Sequence, residues 1–166
     1  MAYSNFVPSP FLALESCLLN FNLPPRQEDL LYFLLKEVRN EQIERIDREL
    51  KNVGLLRSSF ATLQILYAAS DFRMMPSDLA CKTGECRTNM TRIGNKLVKM
   101  QLVQRTACPL DRRSIRLELT PKGKQLVEDM LPRLRRIVNG HFSTLDNVEQ
   151  EQLQKLLGKM LHGNSK

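Results

Sequence analysis

The sequence predicts a mainly α-helical chain interrupted once by a two-stranded β hairpin. Two observations carry this. Apolar residues recur every three to four positions along most of the 166 residues, the spacing that places them on one face of a helix. The pattern switches to strict alternation in one region only, "LVQRTA" and "SIRLEL", where Ile115, Leu117 and Leu119 alternate with Arg116 and Glu118. The length suits one domain, or two small subdomains sharing a helix, with enough chain to bury a core without staples.

In order, residues 25–50 carry Leu30, Leu31, Leu34, Leu35, Val38, Ile46 and Leu50 between charges and predict a long helix closed by Gly54. Ser58 or Ser59 is expected to open a second helix through Phe60, Leu63, Leu66 and Tyr67. Beyond Pro76, with Ser77 as its expected cap, a short helix runs from Asp78 to about Lys82 and ends in the turn "TGE". The stretch "CRTNMTRIGNKLVKMQ" aligns Met90, Ile93, Leu97 and Met100 on one stripe expected to pack inward, leaving Arg87, Thr88, Thr91, Arg92, Asn95 and Lys99 on other faces. The hairpin follows, with a basic loop from Cys108 to Arg113. Thr120 then caps a helix that has Pro121 in its first turn and Pro132 inside it, where a kink or a division is expected. In the last helix Asp146 and Glu149 have the spacing of a capping box. Neither terminal arm can hide its apolar stripe alone, which favours pairing with a second copy. The expected organisation is residues 1–54 as an N-terminal arm and dimerisation helix, 55–120 as a central lobe and 121–166 as C-terminal dimerisation helices.

The net charge of +7 is concentrated. Between Lys82 and Lys124 eleven Lys or Arg face three acids, while the rest of the chain is close to neutral. Such a field attracts a polyanion. Other functions find little support. Cys17, Cys81, Cys86 and Cys108 form no CxxC pair and both histidines, His141 and His162, lie far from them, so neither a metal site nor a cofactor is expected. The irregular cysteines and the lack of a secretory signal or an apolar span predict a reduced, cytoplasmic chain that does not enter a membrane. No Gly-rich phosphate loop, nucleophile elbow or paired-acid signature points to an enzyme. Single-stranded RNA would call for an aromatic platform, and no aromatic residue occurs from 73 to 141. A basic membrane-surface or ligand-binding protein is the rival reading. The polar, short side chains of residues 87–95 argue against it, because a membrane-seeking helix carries bulky apolar residues.

Short helix, turn, polar-faced helix and basic-tipped hairpin, in that order, describe a winged helix-turn-helix. A helix fits the major groove of B-DNA, and a hairpin tip can reach the neighbouring minor groove, whose narrow stretches attract arginine. Arg112, Arg113 and Arg116 would be aimed at that groove.

The run "RTNMTRIGNKL…LVQR…DRRSIRLELTPKG" resembles the signature of the MarR family of bacterial regulators, whose wing carries Asp-x-Arg ahead of "LT-x-x-G". "CRTNMTRI" is most similar to the EmrR-like subgroup of multidrug-efflux repressors. The resemblance implies a homodimeric repressor that docks two winged lobes on a palindromic operator of double-stranded DNA and is released by a small aromatic or phenolic effector. It implies that Arg87, Thr88, Asn89, Thr91 and Arg92 belong to the recognition helix, that Arg113 enters the minor groove and that Asp111 steadies basic side chains. Asn95, Lys99 and Arg112 complete the expected DNA-facing set, while the effector pocket cannot be read. For Arg92 a phosphate clamp and an ion pair with Asp111 both remain open. Cys86, at a helix start beside Arg87, is a candidate redox trigger that could replace the effector. Two positions depart from the family pattern: Gln101 stands where a glycine is usual, and Thr83 where an apolar residue is usual.

Overall fold

In a computed structural model the backbone is described for residues 9–108 and 111–163, and side chains for 11–107 and 115–163. The elements are α1 (Ser9–Asn20), α2 (Gln27–Asn52), α3 (Arg57–Ala68), β1 (Arg73–Met74), α4 (Pro76–Thr83), α5 (Arg87–Lys99), β2 (Val103–Cys108), β3 (Asp111–Leu119), α6 (Pro121–Phe142) and α7 (Asn147–Gly163). Two compact units divide within α2, between Glu44 and Arg45. The fold is mainly α with one small antiparallel sheet, as expected.

In the first unit, helix α1 was not foreseen by the periodicity. It ends where Asn22 takes a left-handed φ of 56°, and Leu23 N–H returns to the Leu18 carbonyl at 2.9 Å. The rings of Phe11 and Phe33 meet edge to face with centroids 5.6 Å apart, and both side chains are buried. Asp29, in the first turn of α2, accepts the Arg26 N–H at 2.9 Å.

The second unit holds the principal core, where Leu50, Leu63, Leu66, Leu79, Met90, Leu97, Val103, Val127 and Met130 are essentially inaccessible to solvent. Each such side chain is worth about 1.5–3 kcal/mol of burial. Helix α3 starts at Arg57 with Leu56 as its cap residue, earlier than the serines suggest. The buried Leu55 anchors the chain beside Gly54, so helical bonding begins at once, with Phe60 N–H on the Leu56 carbonyl at 3.0 Å. Ser59 is buried inside the first turn instead of capping it. Likewise α4 begins at Pro76, with Met75 rather than Ser77 as cap residue. Proline has no amide hydrogen to lose at this position and its fixed φ suits the first turn.

The hairpin gains a third strand, and the sheet order is β1-β3-β2. Arg73 pairs with Glu118 and Met74 with Leu117, and Val103 pairs with Leu119 through to Ala107 with Ile115. Both wing strands run further than expected. Cys108 closes β2, and Asp111, Arg112 and Arg113 belong to β3 rather than to a loop; positions 109 and 110 lie outside the described residues.

Helix α6 is fastened directly to the wing. Thr120 Oγ1 accepts the Gly123 N–H at 3.0 Å and donates to the Gln101 carbonyl at 2.7 Å. A Cβ on Gly123 would lie 2.0 Å from the Leu102 carbonyl oxygen, so only glycine allows this approach. The helix passes through Pro132 undivided. At α7 the capping box is reciprocal: Asp146 N–H donates to Glu149 Oε2 and Glu149 N–H to Asp146 Oδ1, both at 2.9 Å. No residue of α7 is buried.

Candidate nucleic-acid interface

The polar helix α5 is held from behind. Met90, Ile93 and Leu97 enter the core, with Met100 half-buried against it. The close approach of β3 explains Gly94, where a Cβ would meet Leu117 Cδ1 at 3.1 Å. The residues facing away from this packing are Arg87, Thr88, Thr91, Arg92, Asn95, Lys96 and Lys99, all exposed. They form a face of short polar side chains and cations on a rigid helix, as reading a groove requires.

One expected member of that face is set back from it. Asn89 is half-buried, and its amide Nδ2 donates to Glu85 Oε2. Its Oδ1 accepts from Arg92 Nε at 3.2 Å and from Nη2 at 2.8 Å. Arg92 is therefore braced along its own helix, with its Nη1 hydrogens directed to neither of these contacts. The chain Glu85–Asn89–Arg92 aims the guanidinium, a partnership that spacing alone did not reveal. Arg105 was also missed. From β2 its Nη2 donates to Asn95 Oδ1, joining wing and helix across ten positions of sequence. Arg116, expected among the groove-directed arginines, instead leans on Asp71 at 4.0 Å, where Arg73 makes the shorter contact of 2.9 Å. The side chains of Asp111, Arg112 and Arg113 lie outside the described residues, and with them any Arg92–Asp111 pair.

Both departures from the family pattern are accommodated locally. Gln101 adopts φ +59° just beyond α5, where its N–H bonds the Val98 carbonyl at 2.9 Å and the Leu102 N–H bonds that of Leu97 at 3.0 Å. This pair of bonds is a Schellman closure, which glycine fills without the strain a side chain suffers there. Thr83 satisfies its hydroxyl on the Leu79 carbonyl at 2.7 Å, so a polar residue fits the half-buried position. Cys86 is exposed at the cap position of α5 and its side chain makes no capping bond.

Behind this face the lobe is braced against α6. Tyr67 donates to Glu128 Oε1 at 2.9 Å, and that bond holds the phenol above its usual pKa. The Lys124 ammonium sits 3.4 Å from the centroid of Phe72, and Lys122 Nζ donates to the Met100 carbonyl at 3.1 Å. Two clefts adjoin these elements. One of about 700 Å³ is lined by Asp47, Lys51, Leu55, Leu56, Ala61 and Glu85 among others. The other, about 400 Å³, has Val53, Met100, Leu102 and Leu126 with Lys122 at its edge. Among the described residues no cluster of side chains is suited to a metal ion, and no helix is long and apolar enough to cross a membrane.

The sequence profile of the MarR family matches residues 55–115. Transcriptional repressor MprA of Escherichia coli K12 is 32% identical over 137 residues, covering 82% of this chain and 78% of that one. The HTH-type transcriptional repressor YetL of Bacillus subtilis is 27% identical, with 78% of each chain covered. Among solved structures, Sco3205, a MarR family transcriptional regulator from Streptomyces coelicolor in complex with DNA, superposes with a TM-score of 0.72. It is 22% identical, over 86% of this chain and 92% of that one. Bordetella bronchiseptica BpsR, whose DNA binding is regulated by 6-hydroxynicotinic acid, gives a TM-score of 0.68 at 23% identity, over 84% and 98%. These structural likenesses establish a shared fold.

Proposed function

This chain belongs to the MarR family, and from that premise we propose that it is a homodimeric DNA-binding repressor of an efflux or aromatic-compound operon, released from a palindromic operator by a small aromatic or phenolic ligand. The observation that carries the reading is the exposed face of α5, with Thr88, Thr91, Arg92, Asn95 and Lys99 directed away from a fully packed core. In this reading α5 enters the major groove, Arg87 and Lys99 contribute at its two ends, and Arg112 and Arg113 of β3 approach the minor groove. Asp111 orients the wing. Asn89 acts indirectly, by aiming Arg92.

Pairing is supported by the apolar residues left uncovered on the terminal helices, among them Leu31, Leu35 and Val38 on α2 and Leu156, Met160 and Leu161 on α7. A dimer must hold its two recognition helices roughly 34 Å apart, one turn of duplex. An effector that favours another spacing weakens binding, and a hundredfold change requires about 2.7 kcal/mol of differential affinity. The cleft between Met100 and Leu126 is the candidate seat. It joins the end of α5 to the start of α6 and offers an aromatic ring the apolar side chains of Val53, Met100, Leu102 and Leu126, with Lys122, Gln125 and Asp129 as its polar lining.

Fluorescence anisotropy at fixed salt tests the wing directly. Arg113→Ala weakens binding to the chain's own promoter by about 1–3 kcal/mol while the protein stays folded; an unaltered dissociation constant removes the wing from the mechanism. The exposure of Cys86 supports a second reading, in which oxidation at the start of α5 replaces the small effector. Loss of DNA affinity in peroxide by the wild type but not by Cys86→Ser is its signature, and unchanged wild-type affinity dismisses it.

A further inference from the structure

Helix α5 carries two asparagines, and their surroundings differ in a way that assigns them different work. Asn89 has both ends of its amide engaged, Nδ2 on the Glu85 carboxylate and Oδ1 under the Arg92 guanidinium. Neither partner can exchange roles, because a carboxylate only accepts and a guanidinium only donates. Asn89 is thus fixed in one orientation, with both lone pairs of its oxygen committed to Arg92 and one Nδ2 hydrogen committed to Glu85.

Asn95 lies on the exposed face, almost two turns further along, and among the described residues its amide is engaged through the oxygen alone. Arg105 Nη2, arriving from the wing strand β2, donates to Oδ1. Since a guanidinium has no acceptor, the amide must turn its oxygen toward Arg105, and its NH2 group then points the other way. A free asparagine can grip adenine through both ends of its amide, donating to N7 and accepting from N6. One held as Asn95 is offers donors.

The geometry points to Arg105 as a positioning residue that orients Asn95 as a hydrogen-bond donor toward a base bearing a major-groove acceptor, and so excludes cytosine from that operator position. This rests on the reading of the α5 face as the DNA-binding surface. Guanine presents O6 and N7, thymine O4 and adenine N7, whereas cytosine offers only its N4 amino group, a donor that would face the donors of Asn95. Arg105 therefore contributes to specificity through Asn95 without touching a base itself. It also makes the setting of the helix depend on the wing, since the guanidinium belongs to one and the amide to the other.

The test is selection from a pool of random-sequence duplexes by the full-length chain at fixed salt, followed by affinity measurements on single-base variants of the enriched site. The wild type is expected to enrich a motif that excludes cytosine at one position in each half-site. Arg105→Ala frees the amide to turn its oxygen outward and admits cytosine there, relaxing discrimination about tenfold at that position and leaving the others unchanged. Arg105→Lys, which still only donates, restores the exclusion. Asn95→Asp, which replaces donors by acceptors, moves the same position toward cytosine. Arg105 is exposed, and thermal melts of the variants verify that the lobe stays folded; the Lys and Asp substitutions retain a polar pair in case the alanine variant does not. An unchanged base preference in Arg105→Ala overturns the inference. So does a uniform loss over all sequences with a salt slope shallower by about 0.9, which makes Arg105 a phosphate contact. If the wild type enriches no motif, the DNA-binding reading itself fails, a result distinct from both.

Discussion

The winged lobe and the terminal helices are both rich in leucine but treat it differently. Between residues 55 and 120, Leu56 and Ile115 are the only large apolar side chains left exposed among the described residues. In α1, α2 and α7, by contrast, Leu12, Leu19, Leu31, Tyr32, Leu35, Val148, Leu156 and Leu161 all face solvent in a single copy. The lobe is a finished core that presents polar groups. In the proposed dimer the terminal helices supply the interface. A monomeric protein rarely leaves so much apolar surface uncovered, so stability is expected to be local in the lobe and shared between copies in the arms.

Substitutions that strike one region and spare the other sharpen this contrast. The largest effect is expected at Gly123→Ala. Its Cβ has no room beside the Leu102 carbonyl, and forcing the start of α6 from the wing costs about 3 kcal/mol. Chemical denaturation should show a lower midpoint irrespective of protein concentration. Next comes Leu156→Glu on α7, which should weaken dimer association by about 1.5–3 kcal/mol by placing a charge on the apolar stripe. Sedimentation over a dilution series reads this directly, and the contrast breaks if the variant remains as dimeric as the wild type. The smallest effect is a gain. Gln101→Gly removes the strain of a left-handed side-chain residue, about 1–2 kcal/mol, and returns part of it as chain entropy. The lobe should then melt higher by the equivalent of about 1 kcal/mol; a loss of stability would mean that the Gln101 side chain makes a compensating contact.

The same contrast explains what could be read from the residues alone. The inward stripe of α5, the Thr120 cap and the Asp146–Glu149 box depend on neighbours within a few positions, and each is found where it was expected. Elements that depend on distant partners were hidden. Strand β1 is two residues held by backbone pairing to β3, which leaves no periodic trace. The serines after Gly54 are good caps in isolation, yet the burial of Leu55 decides where α3 begins. At the interface, residue types on the exposed face of α5 were legible, whereas their internal partnerships were not. Asn89 carries the signal of a base reader, and its bonds to Glu85 and Arg92 leave no trace in the spacing. Arg105 resembles an ordinary strand cation and meets Asn95 only once the hairpin has folded back. The position of Gln101 was legible as a departure, and its positive φ shows why glycine suits that place.

The central claim is that the cationic, polar face of α5 and its wing grip duplex DNA. Fluorescence anisotropy of the full-length chain with its own promoter and with a scrambled duplex of equal length, over a series of salt concentrations, tests it most directly. The account predicts tighter binding to the promoter and a logarithmic salt slope of about −0.9 for each phosphate neutralised, steep for a protein presenting several such cations. Equal affinity for the two duplexes, or affinity indifferent to salt, would contradict it.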